Sequence, residues 1–530
     1  LKQNRANFLR ALIAFLLSFT LFARDLNQSE SAAIYRSETF RHYLQDLVLE
    51  LESYDGLPVN EERADVKKQL EQFIQDGDYD NFWKSLPPTW QDFFKLKTVD
   101  LSEPEKSHVR DFTGELKSPE HHTLSAPEAY VDDRLGKSIA ANIEKKGQEL
   151  IIHAGRAENL SELFPRESNL VRIPSLYENW GIDKYAEISS LDTPTPKIVV
   201  NIPPLEEYAK HYAQMIALKG GDARVYLNES DRLELKRKFQ AEIDGLYKTH
   251  DISEGVHVTL GYQQKLEDSL KSSQDWEILE STELIKSPEL KIGGKKFTLK
   301  SKKNPNIKIS VIALSADTTL WGEATSFLTD AVLTKAPKSI TFFGSAGLIN
   351  TSRGKVYDAS IPEFFYYEGK KVDISNQLDQ LNGSQVLKGF THGNSNSPAE
   401  QDAAWLKEHR NRGIDTVDVE VSRMAQTIAE HNKRNLSPVS FGVMNLITDR
   451  PSLDHTDSSD LSRVDIEAKA KSQRQIASLF WSELNKISEA AERNDDSIRA
   501  KILRQLPGLK TEDIKIRNGV GRIDASKEHK

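Results

Sequence analysis

The sequence predicts an α/β fold for the C-terminal half of this 530-residue chain, preceded by a mainly helical N-terminal region. Three observations carry that reading. From residue 256 to 487, short β-prone runs alternate with helix-length segments, the pattern of strands with covering helices. The small residues Gly344-Ser345-Ala346-Gly347 directly follow a β-prone run over 339–343, so a strand is expected to end there in a turn whose backbone approaches a ligand closely. Two carboxylates stand just past apolar runs, Glu420 after Val417-Asp418-Val419 and Asp449 after Met444-Asn445-Leu446-Ile447-Thr448. With a helix over 422–432, a turn over 433–438 and a strand over 439–446, they form a strand–helix–strand unit. It is expected to be parallel, with both acids near the carboxyl edge of the sheet, where open α/β sheets bind ligands.

Taken in order, Lys2, Arg5 and Arg10 precede an apolar run over 11–23, interrupted by Ser18 and Thr20 and followed by Arg24-Asp25. That is the layout of a secretory signal peptide over 1–23, too short for an ordinary membrane span. It implies export to a periplasm or beyond; the alternative is an amphipathic or buried helix in a cytoplasmic protein. Residues 24–125 read as a helical domain, with Tyr43, Leu44, Leu47, Val48 and Leu51, then Val66, Leu70 and Phe73, at helical intervals. Trp83, Trp90, Phe93 and Phe94, around Pro87-Pro88, are expected in its core. Residues 126–254 are a mixed α/β region: a helix over 135–150, a strand over 197–201, an amphipathic helix over 205–218 and a strand over 223–227.

The domain over 255–490 opens with a strand at 256–260, a turn at Gly261 and a helix at 264–270. A hairpin of 291–299 with 307–314 and a helix over 320–333 lead to the glycine run. Lys355-Val356-Tyr357-Asp358 is expected to open the next strand. Then come a strand over 385–391, a polar loop over 392–397, a helix over 399–410 and, after the two acids, a last helix over 460–487. Residues 491–530 are a charged tail with a helix at 496–506.

Composition bounds the chemistry. Apolar residues at 38% and charged ones at 28% are ordinary for a soluble globular protein. A formal charge of −9 argues against a sequence-independent nucleic-acid binder. The absence of cysteine excludes disulfides, thiolate nucleophiles and cysteine-ligated metals. The thirteen histidines show no HExxH-type spacing, so no metal is expected.

Over 256–487 the chain resembles the nucleoside phosphorylase and nucleosidase superfamily, with the layout of methylthioadenosine and adenosylhomocysteine nucleosidases. The resemblance is carried by the glycine run, by Lys355-Val356-Tyr357-Asp358 where the family has KVGD, by Asp418-Val419-Glu420-Val421 where it has V-[DE]-M-E-A, and by Ile447-Thr448-Asp449 where it has ISD. It implies a three-layer sandwich and a purine nucleosidase that frees a base from a nucleoside or nucleotide without a cofactor. Asp449 matches the acid that protonates N7 of the departing base, and Glu420 the carboxylate that accepts from ribose hydroxyls, the two forms of help N-glycosidic cleavage needs. Ser345, Ala346 and Gly347 fall on the nucleophile side, Val419 replaces a methionine under the ribose, and Asn394 and Asn396 lie in the base-contacting loop. Thr448 neighbours the acid, and Arg450 adds a charge that either binds a substrate phosphate or lowers the acid's pKa.

The chain departs from the family twice. Only Glu267, shifted along the first helix, stands for the water-activating carboxylate, and Phe342 occupies the place of a phosphate-binding arginine. Three readings therefore stand open: a nucleosidase, a phosphorylase with inorganic phosphate as co-substrate, or a non-catalytic nucleoside-binding module. Homo-oligomers are implied by the resemblance alone. Without it, Glu420 and Asp449 are ordinary strand-end carboxylates in capping or ion-pair roles.

Overall fold

The computed structural model describes residues 23–489, apart from 54–60, 100, 102–108, 114–121, 125, 144–149, 165–167, 193–196, 222, 254, 288, 316–320, 379–385, 435–437, 454–468, 483 and 487, together with 514–517 and 520–523. The apolar N-terminal run, the first residues of the expected last helix and the helix expected over 496–506 lie outside the described residues. The chain divides into two compact units, 1–119 with 126–235 and 120–125 with 236–530.

The first unit holds a sheet of eight strands: β1 (Ala23–Asp25), β2 (Lys97–Val99), β3 (Val109–Asp111), β4 (Leu150–Ala154), β5 (Leu170–Ile173), β6 (Asp183–Glu187), β7 (Ile198–Ile202) and β8 (Arg224–Asn228), in the order β1-β2-β5-β6-β7-β4-β8-β3. β4 lies parallel to β7 and β8, and every residue of β4 and β7 is buried. Strands covered on both faces read as continuous apolar runs, which is how the sequence shows them. The amphipathic helix Glu206–Leu218 connects β7 to β8. Helices dominate residues 28–94, where Phe73 stacks on Phe82 at 4.9 Å and Tyr79 on Trp83 at 5.9 Å. The unit as a whole, however, is mixed α/β. The helix expected over 135–150 is two, Pro127–Leu135 and Lys137–Ile143, broken at Gly136, whose φ of +93° and whose missing side chain both serve the Asp46 carboxylate packed against it.

The second unit is built on ten strands: β9 (His257–Gly261), β10 (Trp276–Leu284), β11 (Gly293–Ser301), β12 (Lys308–Ser315), β13 (Ser339–Leu348), β14 (Ala359–Tyr367), β15 (Lys370–Val372), β16 (Val386–Asn394), β17 (Thr416–Asp418) and β18 (Ser440–Asp449). β12, β9, β13 and β18 are parallel neighbours, and β10, β11 and β12 form an antiparallel meander at one side. Beyond β13 the pairing closes on itself. β13 pairs with β18, β18 with β14, β14 with β16, β16 with β17, and β17 returns to β13. Ala346, Leu348, Phe390 and Ile447, all buried, form the small apolar cluster of these strands.

Four local expectations change. The glycine run is no turn: β13 continues through it, with Gly344, Ser345 and Ala346 opposite Asn445, Leu446 and Ile447. Glycine is needed at 344 because the Phe342 ring fills the space a side chain would take. Lys355 to Asp358 form a turn before β14, not a strand, with Tyr357 at φ +74°. β16 runs on to Asn394, so His392 lies inside a strand and is fully buried. Finally, β17 is antiparallel to β13 while β18 is parallel to it, so β17 and β18 run in opposite directions. The expected parallel crossover is absent, because β17 takes its direction from β16.

The larger core lies against the Phe343, Met444 and Leu446 face, under Leu266 and Leu270 of the helix Gln263–Lys271 and under Phe480, Trp481 and Leu484. Trp481 Nε1 donates to the Leu266 carbonyl at 2.9 Å, and Trp276 Nε1 donates to the Trp481 carbonyl at 2.8 Å. Buried indoles thus find acceptors, as they must.

Candidate active site

Gly347 organises the site. Its strand neighbours are Asp449 on one side and Val417 on the other. The ladder between β13 and β18 shifts register here: Ala346 faces Ile447, but Gly347 faces Asp449, leaving Thr448 as an extra residue. Such a bulge re-aims a side chain. In an unbroken ladder Asp449 would fall opposite Leu348, toward the apolar cluster. The bulge instead brings Asp449 Oδ2 to within 2.9 Å of where a Gly347 side chain would begin. Asp449 is 5% exposed, and Thr448 Oγ1 donates to its Oδ1 at 3.0 Å.

Successive strand residues point to opposite faces, so Ser345 shares the Gly347 and Asp449 face, about 7 Å along the strand. Ala346 points the other way, its side chain packed in the apolar cluster. Tyr262, just past β9, comes to the Ser345 face from the other neighbouring strand. Its ring meets Phe343 edge-on at 5.7 Å, and its hydroxyl hydrogen-bonds Ser345 Oγ. No sequence pattern singled out Tyr262; a residue 83 positions from its partner is found only through the β9–β13 pairing.

Glu420 is set by its neighbours. Asp418 Oδ1 accepts the backbone N–H groups of Glu420 at 3.1 Å and Val421 at 2.9 Å, capping the helix Val421–Arg434. His392 Nε2 lies 3.0 Å from the same oxygen, and His392 Nδ1 lies 2.9 Å from Thr416 Oγ1. The fully buried histidine thus packs beside the aspartate that fixes the backbone on which Glu420 stands, with no hydrogen bond from its Nε2 among the described residues. An alternation from Phe390 to His392 was the only sequence signal for it. Val419 lies between these two acids and is half-buried.

The loop after β16 is tied to the same place. Asn394 is the register partner of Asp418, and the Ser395 N–H donates to the Asp418 carbonyl at 2.8 Å. Asn394 Oδ1 has no hydrogen-bond partner among the described residues, whereas Asn396 is held by Glu400, which accepts its backbone N–H at 2.7 Å. Arg450 follows Asp449 directly and is half-buried.

Glu267 lines a cleft of about 550 Å³ together with Tyr262, Gln263, Lys265, Lys295 and Ser315. Both its oxygens are engaged: Gln263 Nε2 donates to one at 2.6 Å and Lys295 Nζ to the other at 2.9 Å. Lys295 also reaches Glu283 at 3.1 Å, and these two carboxylates hold its ammonium above the ordinary lysine range. Among the described residues no group of three or more histidine and acidic side chains is placed to hold a metal ion.

Fold and site together define a mixed α/β protein with a buried carboxylate and a tyrosine–serine hydroxyl pair on one face of its sheet. No family model matches the chain, and no curated protein matches its sequence. Among solved structures it is similar to purine nucleoside phosphorylases. The Schistosoma mansoni enzyme in complex with adenosine is 15% identical, over 47% of this chain and 96% of that one, with a TM-score of 0.35. The Toxoplasma gondii enzyme with immucillin-H is 12% identical, over 45% and 94%, with a TM-score of 0.34. Isoform 2 of the Schistosoma mansoni enzyme, with cytosine and ribose-1-phosphate, is 12% identical, over 47% and 95%, at 0.34.

Proposed function

We propose that the second unit cleaves the N-glycosidic bond of a purine nucleoside or nucleotide by hydrolysis, with the three-layer sandwich of the nucleosidase superfamily as its frame. The observation that carries the reading is Asp449, re-aimed by the Thr448 bulge onto the face of Ser345, beside the glycine whose other neighbour leads to Glu420. As the C1′–N bond breaks, its electron pair passes to the base, and Asp449 supplies the proton that makes the base a competent leaving group. Glu420 accepts hydrogen bonds from the ribose hydroxyls as positive charge builds on the sugar. Asn394, whose buried side-chain oxygen has no hydrogen-bond partner among the described residues, is assigned to the base.

One observation favours phosphorolysis as the second reading. Glu267 is paired with Lys295, and Lys265, Lys271 and Lys286 line the same cleft, a setting suited to an anionic co-substrate rather than to a carboxylate acting as base. Assembly into homo-oligomers and export through the N-terminal run belong to the same proposal.

The test is free-base release from adenosine, methylthioadenosine, adenosylhomocysteine, inosine, uridine and AMP, with and without inorganic phosphate, by the wild type and Asp449→Asn. Hydrolysis predicts release without phosphate and a loss of roughly a hundredfold or more in the variant. Strict phosphate dependence would move the protein to the phosphorylases. Tight nucleoside binding with no release, in a folded protein, would make it a binding module.

A further inference from the structure

Resting on that reading, we propose that Tyr262 is the residue that positions the attacking water, through its hydrogen bond to Ser345. Three observations on different elements converge on it. First, the chain places the tyrosine deliberately close: Gly261 sits at φ +103°, and the Phe343 carbonyl occupies the space a side chain there would need, so only glycine lets β9 turn directly into Tyr262. The Tyr262 N–H then donates to that carbonyl at 2.9 Å, and the ring packs against Phe343. Second, the hydroxyl so fixed meets Ser345 Oγ, on the face that carries Asp449. Third, the same tyrosine lines the open cleft that Glu267 also lines, and Glu267 is already held through both oxygens by Gln263 and Lys295.

The carboxylate expected to direct water is thus committed to an ion pair, and the Tyr262 phenol is a polar group that both lines the cleft and reaches Ser345. With the Tyr262 hydroxyl engaging Ser345 Oγ, the serine hydroxyl is held in place and keeps hydrogen-bonding capacity for a water in line with C1′. The water oxygen bonds C1′ as the C1′–N bond breaks; Asp449 protonates the base, and the proton shed by the water returns to Asp449 through solvent. Tyr262 neither gains nor loses a proton in this sequence and acts through Ser345.

Tyr262→Phe keeps the ring and its packing and removes only the hydroxyl. With the best substrate of the panel, kcat should fall roughly tenfold or more with KM within about twofold, the loss expected when one positioning hydrogen bond goes. Ser345→Ala should do the same, and the double variant should be no worse than either single one, since both remove one device. Unchanged thermal midpoints confirm that the fold is kept, and if one single variant is destabilised the other still reads the effect. Full kcat in Tyr262→Phe, or losses that multiply in the double variant, overturns the inference, and an inactive Asp449→Asn beside it leaves the nucleosidase reading standing. No base release by the wild type removes that reading and the inference with it.

Discussion

At the scale of single residues, Gly347 is the position where a methyl group does most harm. Its side chain would start 2.9 Å from Oδ2 of the buried Asp449 and 3.0 Å from the Pro451 ring, which cannot swing aside. Gly347→Ala is expected to cost about 1–3 kcal/mol by thermal denaturation. By displacing the acid, it should also lower base release at least tenfold. Ala346→Gly, one residue away on the other face, should leave turnover unchanged, and equal losses in both would mean that the strand rather than the acid is at stake. Asp449 was legible in the sequence because an apolar strand must end somewhere and a carboxylate marks the end. The true role of the glycines was not legible. The atoms that exclude a side chain at 344 and 347 belong to a neighbouring ring and to a strand a hundred residues away, and a local reading sees only a turn. Tyr262 and the His392–Asp418 contact escaped for the same reason.

Among elements, helices and their caps follow the periodicity of the chain, whereas strand direction does not. The run over 416–418 is β-prone in any orientation, and its pairing with β16 and β13 decides that it runs against β18. β10 was missed because its exposed, charged residues hide the period of two. In the first unit, burial also sets a pH dependence. It pushes the Glu178 carboxyl from its ordinary 4.5 up to about 7, although Arg172 lies 3.1 Å away, and Asp46 from 3.8 up to about 6. A carboxyl raised on folding favours the folded state when protonated. The associated stability is therefore complete below about pH 4 and lost as the pH climbs through 7. Glu178→Gln should remove its share, on the order of 3 kcal/mol at most. Denaturant unfolding at pH 5 and pH 8 should show a smaller difference in this variant than in the wild type; identical slopes would mean that Glu178 is not the group responsible.

On the scale of the whole chain, alternation of strands and helices announced α/β architecture in the C-terminal half, but not the closed circuit from β13 through β18, β14, β16 and β17 back to β13. Closure depends on which short strands find each other across long loops, and no periodicity encodes that. The circuit has a consequence for self-association. The circuit is joined by only two residue pairs between β13 and β17 and two between β14 and β18, but each of its strands has a neighbour on both sides, so among the described residues the terminal strands of the sheet are β15, three residues long, and β10, nine residues long. A long open strand is a template on which a second copy can extend the sheet, and charge along it is the usual deterrent. Glu277 and Glu280 stand exposed on β10. Replacing both with valine should make the chain associate in proportion to its concentration in sedimentation, and an unchanged sedimentation profile would mean that this edge is closed by other means.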